Sequence, residues 1–590
     1  MKRISIITLA LLLLGGSALA QNHRANYQFR GFVFGNDALS TQDLFSLSQS
    51  ADNFGTARSM GMAGAFVSLG ADMAAIAINP AGLGMYQRSE VSLTPSLSFT
   101  NISTPGALAP SQGMPMREND KTTFALNNLG AAITLYEGSG NLLSLTLGVG
   151  FNRLADYNYN ASFEYRHAVT LDDEGNYISL PSVADALALQ LEAGGATVGQ
   201  HGIEMDGYEN WGIDPYFWSA VAGYKSYMLE QNAYGLWYPA QIGVNADIGG
   251  GASMTSRGSA SEFNIALGGN ISNKLYFGLT IGIQSITRRQ TFYYGEGYSY
   301  GGGNGYNTGE MAIYDDGTPL NDVMQGMGLS QTMKVDGSGV NFKLGLIYRP
   351  IESLRLGMAI HTPTFYSLNR YYYMGLSTEW IGATDPAEGD MRPHEYFSDQ
   401  MPEYPVEDVG EWAWRFYGPT RLMFGASYSV GHWAMFSVDY ERDWYNGIRV
   451  KNQPSLYYGQ NEEDFKQDFK HLFKGSNSVR VGVEVRPVPI FALRAGYGYT
   501  GSALRDEKTT FNSPAIYQTN YCTAGIGFSL GSLAYIDLAY RYSANKMTSY
   551  YLFMADKYVT GVNESEYYES DLYTSKMTRH QVALTFGFRF

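Results

Sequence analysis

The sequence is short of cysteine, charge and histidine, and each shortage excludes a class of protein. Cys522 is the single cysteine among 590 residues, so no intramolecular disulfide can form. Only 16% of the residues are charged and the formal net charge is −15, which argues against a nucleic-acid partner because phosphate binding needs a basic surface. The eight histidines are scattered without metal-ligand spacing, and no nucleophile has a recognisable base. We therefore expect no enzyme, no catalytic or metal site and no cofactor.

Long apolar runs are also missing, except at the start of the chain. Lys2 and Arg3 precede an apolar stretch at 6–14, and the run SALA at 17–20 ends in the small-x-small pattern of a signal-peptidase site. The stretch is too short to span a bilayer, which needs about 20 apolar residues. We interpret residues 1–20 as a signal peptide of an exported protein. The net charge of −15 becomes −17 when Lys2 and Arg3 are removed with it.

Glycine and aromatic residues, by contrast, are abundant. The 68 Gly, 46 Tyr and 30 Phe favour strands and tight turns, and aromatic residues form the girdles of outer-membrane barrels. The last strand has the clearest pattern, in which small or polar residues alternate with Val582, Leu584, Phe586, Phe588 and Phe590. This period of two is typical of a transmembrane strand with one face in lipid, although an edge strand of a soluble sandwich could share it. The terminal Phe590 also resembles the signal of the barrel-assembly machinery, which we expect as a partner.

The same alternation recurs about fourteen times. The predicted strands lie near 89–101, 123–136, 142–166, 259–270, 275–295, 333–349, 354–372, 418–430, 433–447, 478–487, 490–502, 519–531, 533–545 and 578–590. Short and long connections alternate, and the largest is the loop at 167–258. Tight periplasmic turns and long extracellular loops are typical of outer-membrane barrels. The sequence therefore predicts an all-β, antiparallel transmembrane β-barrel over 89–590, monomeric and surrounded by lipid in the outer membrane of a Gram-negative bacterium.

Residues 21–88 precede the first predicted strand and do not have the composition of a solvated tail. The run ARSMGMAGAFVSLGADMAAIAINPAGL at 57–83 is rich in small apolar residues, whereas a hanging tail should be polar and charged. We expect this segment to be buried in the lumen as an N-terminal hatch. Asp72 lies near the start of a predicted short helix, where the positive end of the helix dipole favours an acidic residue. Pro80 ends this helix, and Asn79-Pro80-Ala81-Gly82 is predicted to form a type I turn.

The run GADMAAIAINPAGL, followed directly by a strand, resembles the hatch of the long-chain fatty acid transporter (FadL, also toluene-porin) family of outer-membrane proteins. Asn79, Pro80 and Ala81 match the Asn-Pro-Ala motif of that family. The segments SNKLYFGLTIGI and NFKLGLIYRPIESLRLGMAIHTPT are similar to its hairpins. The resemblance implies a fourteen-stranded barrel with a lumenal hatch, and passive uptake of hydrophobic small molecules such as long-chain fatty acids. The loops depart from the better-known members, most of all at 167–258.

The hatch turn Asn79-Pro80-Ala81-Gly82 is the first candidate site. Proline fixes the corner of the turn and flexible glycines lie around it, so we expect a movable gate at modest cost. Arg58 and Asp72 are the expected ionic anchors of the hatch. The alternative is a fixed turn that only ends the preceding helix.

The second candidate site is Arg153-Leu154-Ala155 in the third predicted strand. Arg153 is one of the alternate residues that are expected to face lipid, where a charge at the bilayer midplane costs about 2–4 kcal/mol. A bulge or kink would turn the side chain away from lipid, and the family resemblance implies a lateral opening at such a break. The alternative places Arg153 near a headgroup girdle.

The third candidate site lies in the long external loop. Asp214 as N-cap and Pro215 at the first helical position predict a helix. We expect an apolar groove that collects hydrophobic ligands and is lined by Phe217, Trp218, Val221 and Leu229. The alternative is that the helices of this loop pack against each other. Two acidic runs at 172–174 and 315–317 lack the spacing of a calcium loop and are interpreted as solvated loop residues.

Two functions remain open at this point. The first is uptake of hydrophobic molecules, and the second is a non-transporting barrel of the same superfamily that acts as a surface binding module or as a carrier or anchor for secreted proteins. Tyr-rich loops and an acidic surface favour the second. An apolar tunnel from the loops to the hatch would favour transport, whereas a filled lumen would favour the binding module.

Overall fold

The computed structural model describes most of the chain after the predicted signal peptide. The described residues are 32–33, 41–49, 55–104, 117–168, 182–199, 202–204, 217–239, 247–299, 323–381, 395–397, 411–451, 462–505, 518–551, 553–557, 566–569 and 572–590. The signal-peptide prediction for 1–20 and the two acidic runs lie outside them.

Most described residues belong to β-strands. In chain order the strands are β1 (Phe32–Val33), β2 (Glu90–Thr104), β3 (Arg117–Glu137), β4 (Leu142–Asp156), β5 (Tyr159–Ala168), β6 (Thr197–Gly199), β7 (Gly202–Glu204), β8 (Leu229–Gln231), β9 (Trp237–Pro239), β10 (Asp247–Ile271), β11 (Leu275–Ser299), β12 (Val323–Ile351), β13 (Leu354–His361), β14 (Phe365–Ile381), β15 (Glu395–Phe397), β16 (Glu411–Tyr417), β17 (Thr420–Val430), β18 (Ala434–Trp444), β19 (Arg449–Lys451), β20 (Gly475–Val488), β21 (Phe491–Thr500), β22 (Thr519–Leu530), β23 (Ala534–Tyr551), β24 (Met554–Lys557), β25 (Glu566–Glu569) and β26 (Leu572–Arg589).

The helices are short and lie in the N-terminal segment and the long loops. They are α1 (Thr41–Ser48), α2 (Ala57–Gly61), α3 (Ala75–Ile78), α4 (Val183–Ala193), α5 (Trp218–Lys225) and α6 (Glu462–Leu472), with 3-10 helices at Pro80–Met85 and Tyr445–Gly447. Within the described ranges, no helix has the length and hydropathy needed to cross a membrane.

The wall is a closed, antiparallel barrel of fourteen strand positions, because β2 pairs with both β3 and the last strand, β26. Four positions hold two successive segments each, namely β4 with β5, β13 with β14, β16 with β17, and β18 with β19. The fold class predicted from the sequence is therefore confirmed.

The two faces of the wall differ as the alternation requires. On β26, Phe586, Phe588 and Phe590 are exposed, whereas Gln581 and Thr585 are buried against the lumen. Bulky apolar side chains are exposed in the same way on the other strands, and this apolar outer surface suits lipid. The inner surface carries most of the buried charged residues.

The strand ends differ between the two rims of the barrel. At the short turns the predicted ends agree with the structure to within about three residues, a normal margin for sequence-based boundaries. At the long loops the strands continue well beyond the prediction, since β10 begins at Asp247 instead of 259 and β12 begins at Val323 instead of 333. Above the bilayer the outward face no longer needs apolar residues, so pairing continues after the hydrophobic alternation has ended.

The hatch runs through the lumen from the long-loop rim to the short-turn rim. α1 contacts α6, which belongs to a long loop, and the hatch ends beside the short turns at Ser89, whose carbonyl accepts a hydrogen bond from the Phe590 backbone N–H. Between these ends α2 packs on β22 and β23, whereas the 3-10 helix Pro80–Met85 packs on β10 and β11, in another part of the wall. The segment therefore spans the lumen.

Candidate functional site

The hatch turn is held mainly through the side chain of Asn79, which is fully buried. Its Nδ2 donates to the carbonyl oxygens of Val67 at 2.6 Å, Leu346 at 3.3 Å and Met358 at 3.3 Å. Its Oδ1 accepts from the backbone N–H of Ala81 at 3.1 Å. One amide thus joins two parts of the hatch to two adjacent wall strands, β12 and β13.

The wall offers inward-facing glycines where the turn approaches it. A Cβ on Gly345 would overlap Asn79 Oδ1, and a Cβ on Gly278 would lie 2.5 Å from the backbone nitrogen of Ala81. Similar approaches to the hatch occur at Gly148, Gly268, Gly357, Gly425, Gly482 and Gly496. Only glycine lets the hatch backbone come this close to the strands.

Polar side chains of the wall also satisfy the backbone of the hatch. Ala57 N donates to Thr585 Oγ1 at 2.7 Å and Val67 N donates to Asp439 Oδ2 at 2.8 Å. The carbonyl of Ile76 accepts from Thr280 Oγ1 at 3.0 Å. These bonds add to the N-cap bond that Thr56 Oγ1 accepts from Ser59 N at 3.2 Å, and they pair hatch backbone groups that would otherwise be buried without a partner. Together with the close glycine contacts they favour the fixed-turn alternative over the movable gate.

The two predicted ionic anchors of the hatch have different partners. Arg58 Nε lies 3.1 Å from Glu484 Oε2 on β20, so this residue joins the hatch to the wall. Asp72 instead accepts bonds within the hatch, from Thr56 Oγ1 at 2.7 Å and from Ala74 N at 2.8 Å. Burial raises the pKa of Asp72 to about 6, although the positive charge of Arg58 acts against the rise.

The raised pKa predicts a pH dependence of hatch stability. Asp72 binds its proton more tightly in the folded protein than in the unfolded chain, where the ordinary value is 3.8. Its contribution is therefore fully present below pH 3.8 and is lost as the pH rises through about 6. We expect Asp72→Asn, which keeps the acceptor oxygen, to lose less thermal stability than the wild type between these two pH values. Melting temperatures measured across this interval test the prediction, and parallel curves for the two proteins would contradict it.

The third strand position of the wall, formed by β4 and β5, is irregular at the second candidate site, Arg153-Leu154-Ala155. Arg153 pairs with Ser261 and Ala155 pairs with Ala260, so Leu154 is an extra residue in a bulge. β4 ends shortly afterwards at Asp156 and β5 begins at Tyr159. Arg153 Nη2 lies 3.5 Å from Asp156 Oδ1, so the bulge gives the guanidinium an acidic partner. The role of this site as a lateral opening stays a prediction.

The backbone ladder between β3 and the third wall position is interrupted beside this irregularity, although β3 and β5 remain joined by side-chain hydrogen bonds such as that from Asn119 Nδ2 to Ser162 Oγ at 2.8 Å. The β3–β4 ladder ends at the pair Asn128–Asn152, whereas β3 continues toward Arg117 paired with β2. The side chain of Tyr157 is turned into the lumen, where its hydroxyl donates to the carbonyl of Leu47 in α1 at 3.1 Å. The interruption thus lies next to the hatch.

The four residues of the predicted external groove lie in a packed interior instead. Phe217, Trp218, Val221 and Leu229 are fully buried among α4, α5 and the upper barrel wall, and the rings of Trp218 and Tyr372 lie 6.0 Å apart. In this structure the loop helices and the rim cover all four side chains, as the alternative of packed loop helices expects, and their role in a ligand groove stays a prediction. α5 begins at Trp218, and its N-cap residue Phe217 makes no side-chain capping hydrogen bond. The predicted N-cap Asp214 lies outside the described residues.

A second packed cluster, which the sequence analysis missed, fills the upper lumen around α1. The ring of Phe45 lies 4.9 Å from those of Tyr445 and Phe473, and Leu44 and Leu47 are buried in the same cluster. The only available signal was the three apolar residues in TQDLFSLS, which is too short a run for a pattern of helical period.

A lumenal cavity of about 110 Å³ lies between α1, the hatch turn and the strand irregularity. Its apolar lining includes Leu47, Ile78, Leu154, Ala260 and Met423. Its polar lining includes four basic side chains, Lys343, His361, Arg421 and Arg480, and the acidic side chain of Glu441. Sequence analysis did not single these out, although each lies on the inward parity of its strand.

The basic side chains are fixed by neighbours around the cavity. Lys343 Nζ is paired with Glu262 and donates to Asn264 Oδ1 at 3.3 Å. Arg421 Nε lies 3.5 Å from Asp443 Oδ1, and its Nη2 donates to the carbonyl of Ser48 at 3.3 Å. The cavity thus combines an apolar surface with three basic side chains, Lys343, Arg421 and Arg480, each of which is paired with an acidic residue.

The model of a family described as "Outer membrane protein transport protein (OMPP1/FadL/TodX)" matches residues 245–551. Similar solved structures include a Pseudomonas aeruginosa FadL homologue, with 12% identity, coverage of 90% of this chain and 98% of that chain, and a TM-score of 0.46. The P. putida toluene transporter TodX has 12% identity, coverage of 92% and 99%, and a TM-score of 0.47. The Ralstonia pickettii toluene transporter TbuX has 13% identity, coverage of 92% and 99%, and a TM-score of 0.43. A search of curated proteins finds no match.

Proposed function

Because this chain belongs to the OMPP1/FadL/TodX family of outer-membrane transport proteins, we propose that it takes up hydrophobic small molecules, and among them long-chain fatty acids. The observation that carries the fatty-acid proposal is the lumenal cavity. Its volume of about 110 Å³ suits the end of an acyl chain, and the guanidinium of Arg421 and the ammonium of Lys343 supply hydrogen-bond donors for a carboxylate there. A neutral hydrocarbon would use none of these donors.

The proposed route leaves the barrel through its side. The hatch occupies the axial path and meets the wall at close backbone contacts, so a ligand above it has no easy passage toward the periplasm. The cavity reaches Leu154 in the bulge, beside the stretch where the backbone ladder between β3 and the third wall position is interrupted. We propose that Arg153, Leu154 and Ala155 mark the exit toward the bilayer, where an apolar molecule is favoured over water.

Removing the positive charge at the cavity should select against carboxylates. A hydrogen bond to a charged group contributes about 1.5–3 kcal/mol, so we expect Arg421→Gln to weaken fatty-acid binding about ten- to hundredfold. Binding of the alcohol of equal chain length should change much less. Fluorescence displacement on detergent-solubilised protein measures both affinities.

Arg442→Gln is the matched control for this variant. Arg442 lies on the neighbouring strand β18 outside the cavity lining and donates to the Gly475 carbonyl at 3.0 Å. If the carboxylate and the alcohol lose the same affinity in Arg421→Gln, the proposal that this cavity recognises the acid group is wrong.

The surface binding module remains the second candidate function, because one observation favours it. The cluster around α1 and the cluster formed by α4, α5 and the barrel rim fill the upper lumen with side chains, as the binding-module hypothesis expects. Under the transport proposal α1 must move before a ligand reaches the cavity.

Phe45→Ala tests whether α1 obstructs the route. Truncating a buried phenylalanine costs about 3–5 kcal/mol of packing, which should loosen α1 without touching the wall. We expect faster uptake of a labelled fatty acid into vesicles, whereas a binding module would show no uptake in either protein. An unchanged, non-zero uptake rate would contradict obstruction by α1.

A further inference from the structure

A separate cavity of about 650 Å³ lies on the opposite side of the hatch, at the short-turn rim. We call it the vestibule. It is bounded by the underside of the hatch from Gly70 to Asp72 and from Met85 to Arg88, and by the short turns around Gly431 and Pro489. Short turns of outer-membrane barrels face the periplasm, so the vestibule faces that compartment.

The vestibule concentrates positive charge in a protein whose net charge is −15. Its acidic lining residues are Asp72, Glu90, Glu484 and Asp537. Its arginines are Arg58, Arg88, Arg355, Arg486, Arg494 and Arg589. Six guanidinium groups against four carboxylates leave a local excess of two positive charges, the reverse of the overall balance.

The acids of the vestibule are already engaged. Glu484 accepts from Arg58 at 3.1 Å, from Arg494 at 2.6 Å and from Arg486 at 2.8 Å. Arg494 also reaches Asp537 Oδ1 at 2.6 Å. Three arginines thus share the carboxylate of Glu484, which has no oxygen left to form an ion pair with a further arginine.

The remaining two acids differ in their partners. Glu90 accepts from Arg589 Nε and from the Tyr535 hydroxyl, both at 2.8 Å. Asp72 accepts from Thr56 and Ala74, both at its Oδ1. Three of the four carboxylates are thus paired with arginines.

Two arginines have no protein partner of this kind. In the described part of the chain, Arg88 and Arg355 form no ion pair or side-chain hydrogen bond, although both line the vestibule. Arg355 is half-buried. Arg486 and Arg589 are 46% and 40% exposed and bond through only part of each guanidinium. Several N–H donors therefore face the open space of one concave surface.

We propose that the vestibule is an oxyanion-binding site, which takes a carboxylate or phosphate group from the periplasmic side. Planar guanidinium groups bind such anions through two parallel hydrogen bonds, and a concave wall of one sign of charge strengthens the attraction. The anion comes from a free solute or from the headgroup of an inner-leaflet lipid, since the rim residues Trp433 and Ile490 are exposed apolar residues. The hatch separates this site from the lumenal cavity, so the proposal does not rest on fatty-acid uptake.

The test is isothermal titration of inorganic phosphate into the detergent-solubilised full-length barrel. We expect saturable binding that weakens with added salt, and a loss of about tenfold or more in Arg355→Gln, since a charge-assisted bidentate contact is removed. Arg442→Gln is again the control, because Arg442 lies outside the vestibule lining and donates to the Gly475 carbonyl at 3.0 Å. Its phosphate affinity should equal that of the wild type. Arg88→Gln, at an exposed position, gives a second variant if Arg355→Gln fails to fold.

A repeat in nanodiscs separates the two sources of the anion. Weaker phosphate binding in phosphatidylglycerol than in phosphatidylcholine discs would identify the lipid headgroup as a competing ligand. Equal binding in both would identify the free anion, and either result supports the site. Absence of saturable phosphate binding at millimolar concentration, or equal affinity in the wild type and the arginine variants, would overturn the proposal.

Discussion

Gly345→Ala is expected to release the hatch turn from the wall and to convert a sealed barrel into a conducting one. The added Cβ would overlap Asn79 Oδ1 and lie 3.0 Å from the backbone nitrogen of Ala81. Neither group can yield easily, because Asn79 is buried and bonded to three carbonyl oxygens. Overpacking typically costs about 1–3 kcal/mol and sometimes more, and we expect the upper end here because backbone atoms are displaced.

Single-channel conductance in planar bilayers measures the effect, and gel mobility without heating shows whether the barrel has folded. Gly278→Ala on the adjacent strand should behave in the same way, since its Cβ would meet the backbone of Pro80 and Ala81. Gly251→Ala is the matched control, because its nearest neighbour is the Phe163 carbonyl oxygen at 3.5 Å, an ordinary contact. A folded Gly345→Ala barrel that conducts no more than the control would show that the turn yields without leaving the wall.

Lys343→Met is expected to lower the free energy of unfolding by about 3–5 kcal/mol, the usual cost of leaving one member of a buried ion pair alone. Lys343 and Glu262 are 4% and 0% exposed, so water cannot replace the missing ammonium. Glu262 would keep its bonds from Gln284 Nε2 at 2.8 Å and Asn341 Nδ2 at 2.9 Å, which offset part of the loss.

Denaturant titration of the barrel in lipid vesicles gives the free energy. The double variant Lys343→Met with Glu262→Gln should recover most of the loss, because no unpaired charge remains. Lys334→Met provides a comparison at a more exposed pair, where Lys334 and Asp336 are 44% and 29% exposed and the loss should stay below about 1 kcal/mol. Equal losses in the single and double variants would show that the unpaired carboxylate is not the cause.

The barrel was largely predictable because lipid imposes a strict pattern. Alternating residues such as Phe586 and Phe588 indicate the outer face directly, and short turns with Gly, Pro, Ser or Asn separate the strands. The pattern fails where lipid ends, which is why the long-loop halves of β10 and β12 were predicted too short. The position of the hatch was predictable from its composition, and the Asn-Pro-Ala motif matched a known family.

The lumenal features were much harder to predict, because they depend on which strands face each other across the barrel. Lys343 and Glu262 are 81 residues apart, and Arg58 and Glu484 are 426 residues apart. No local pattern reports such pairs. The ligand role of the external loop helices was hard to predict for a related reason, since the apolar face of α5 looks the same whether a ligand or the barrel rim covers it. Trp218 is covered by the rim.

Uptake of a labelled long-chain fatty acid into liposomes that contain the purified barrel tests the central claim most directly. A barrel of this size without a hatch would admit polar solutes, so a labelled sugar is measured in parallel and a general porin serves as the comparison. The account predicts protein-dependent entry of the fatty acid, reduced in Arg421→Gln, together with sugar entry far below that through the porin. Fatty-acid entry no faster than in empty liposomes, with the barrel shown to be folded, would contradict the account and favour the surface binding module.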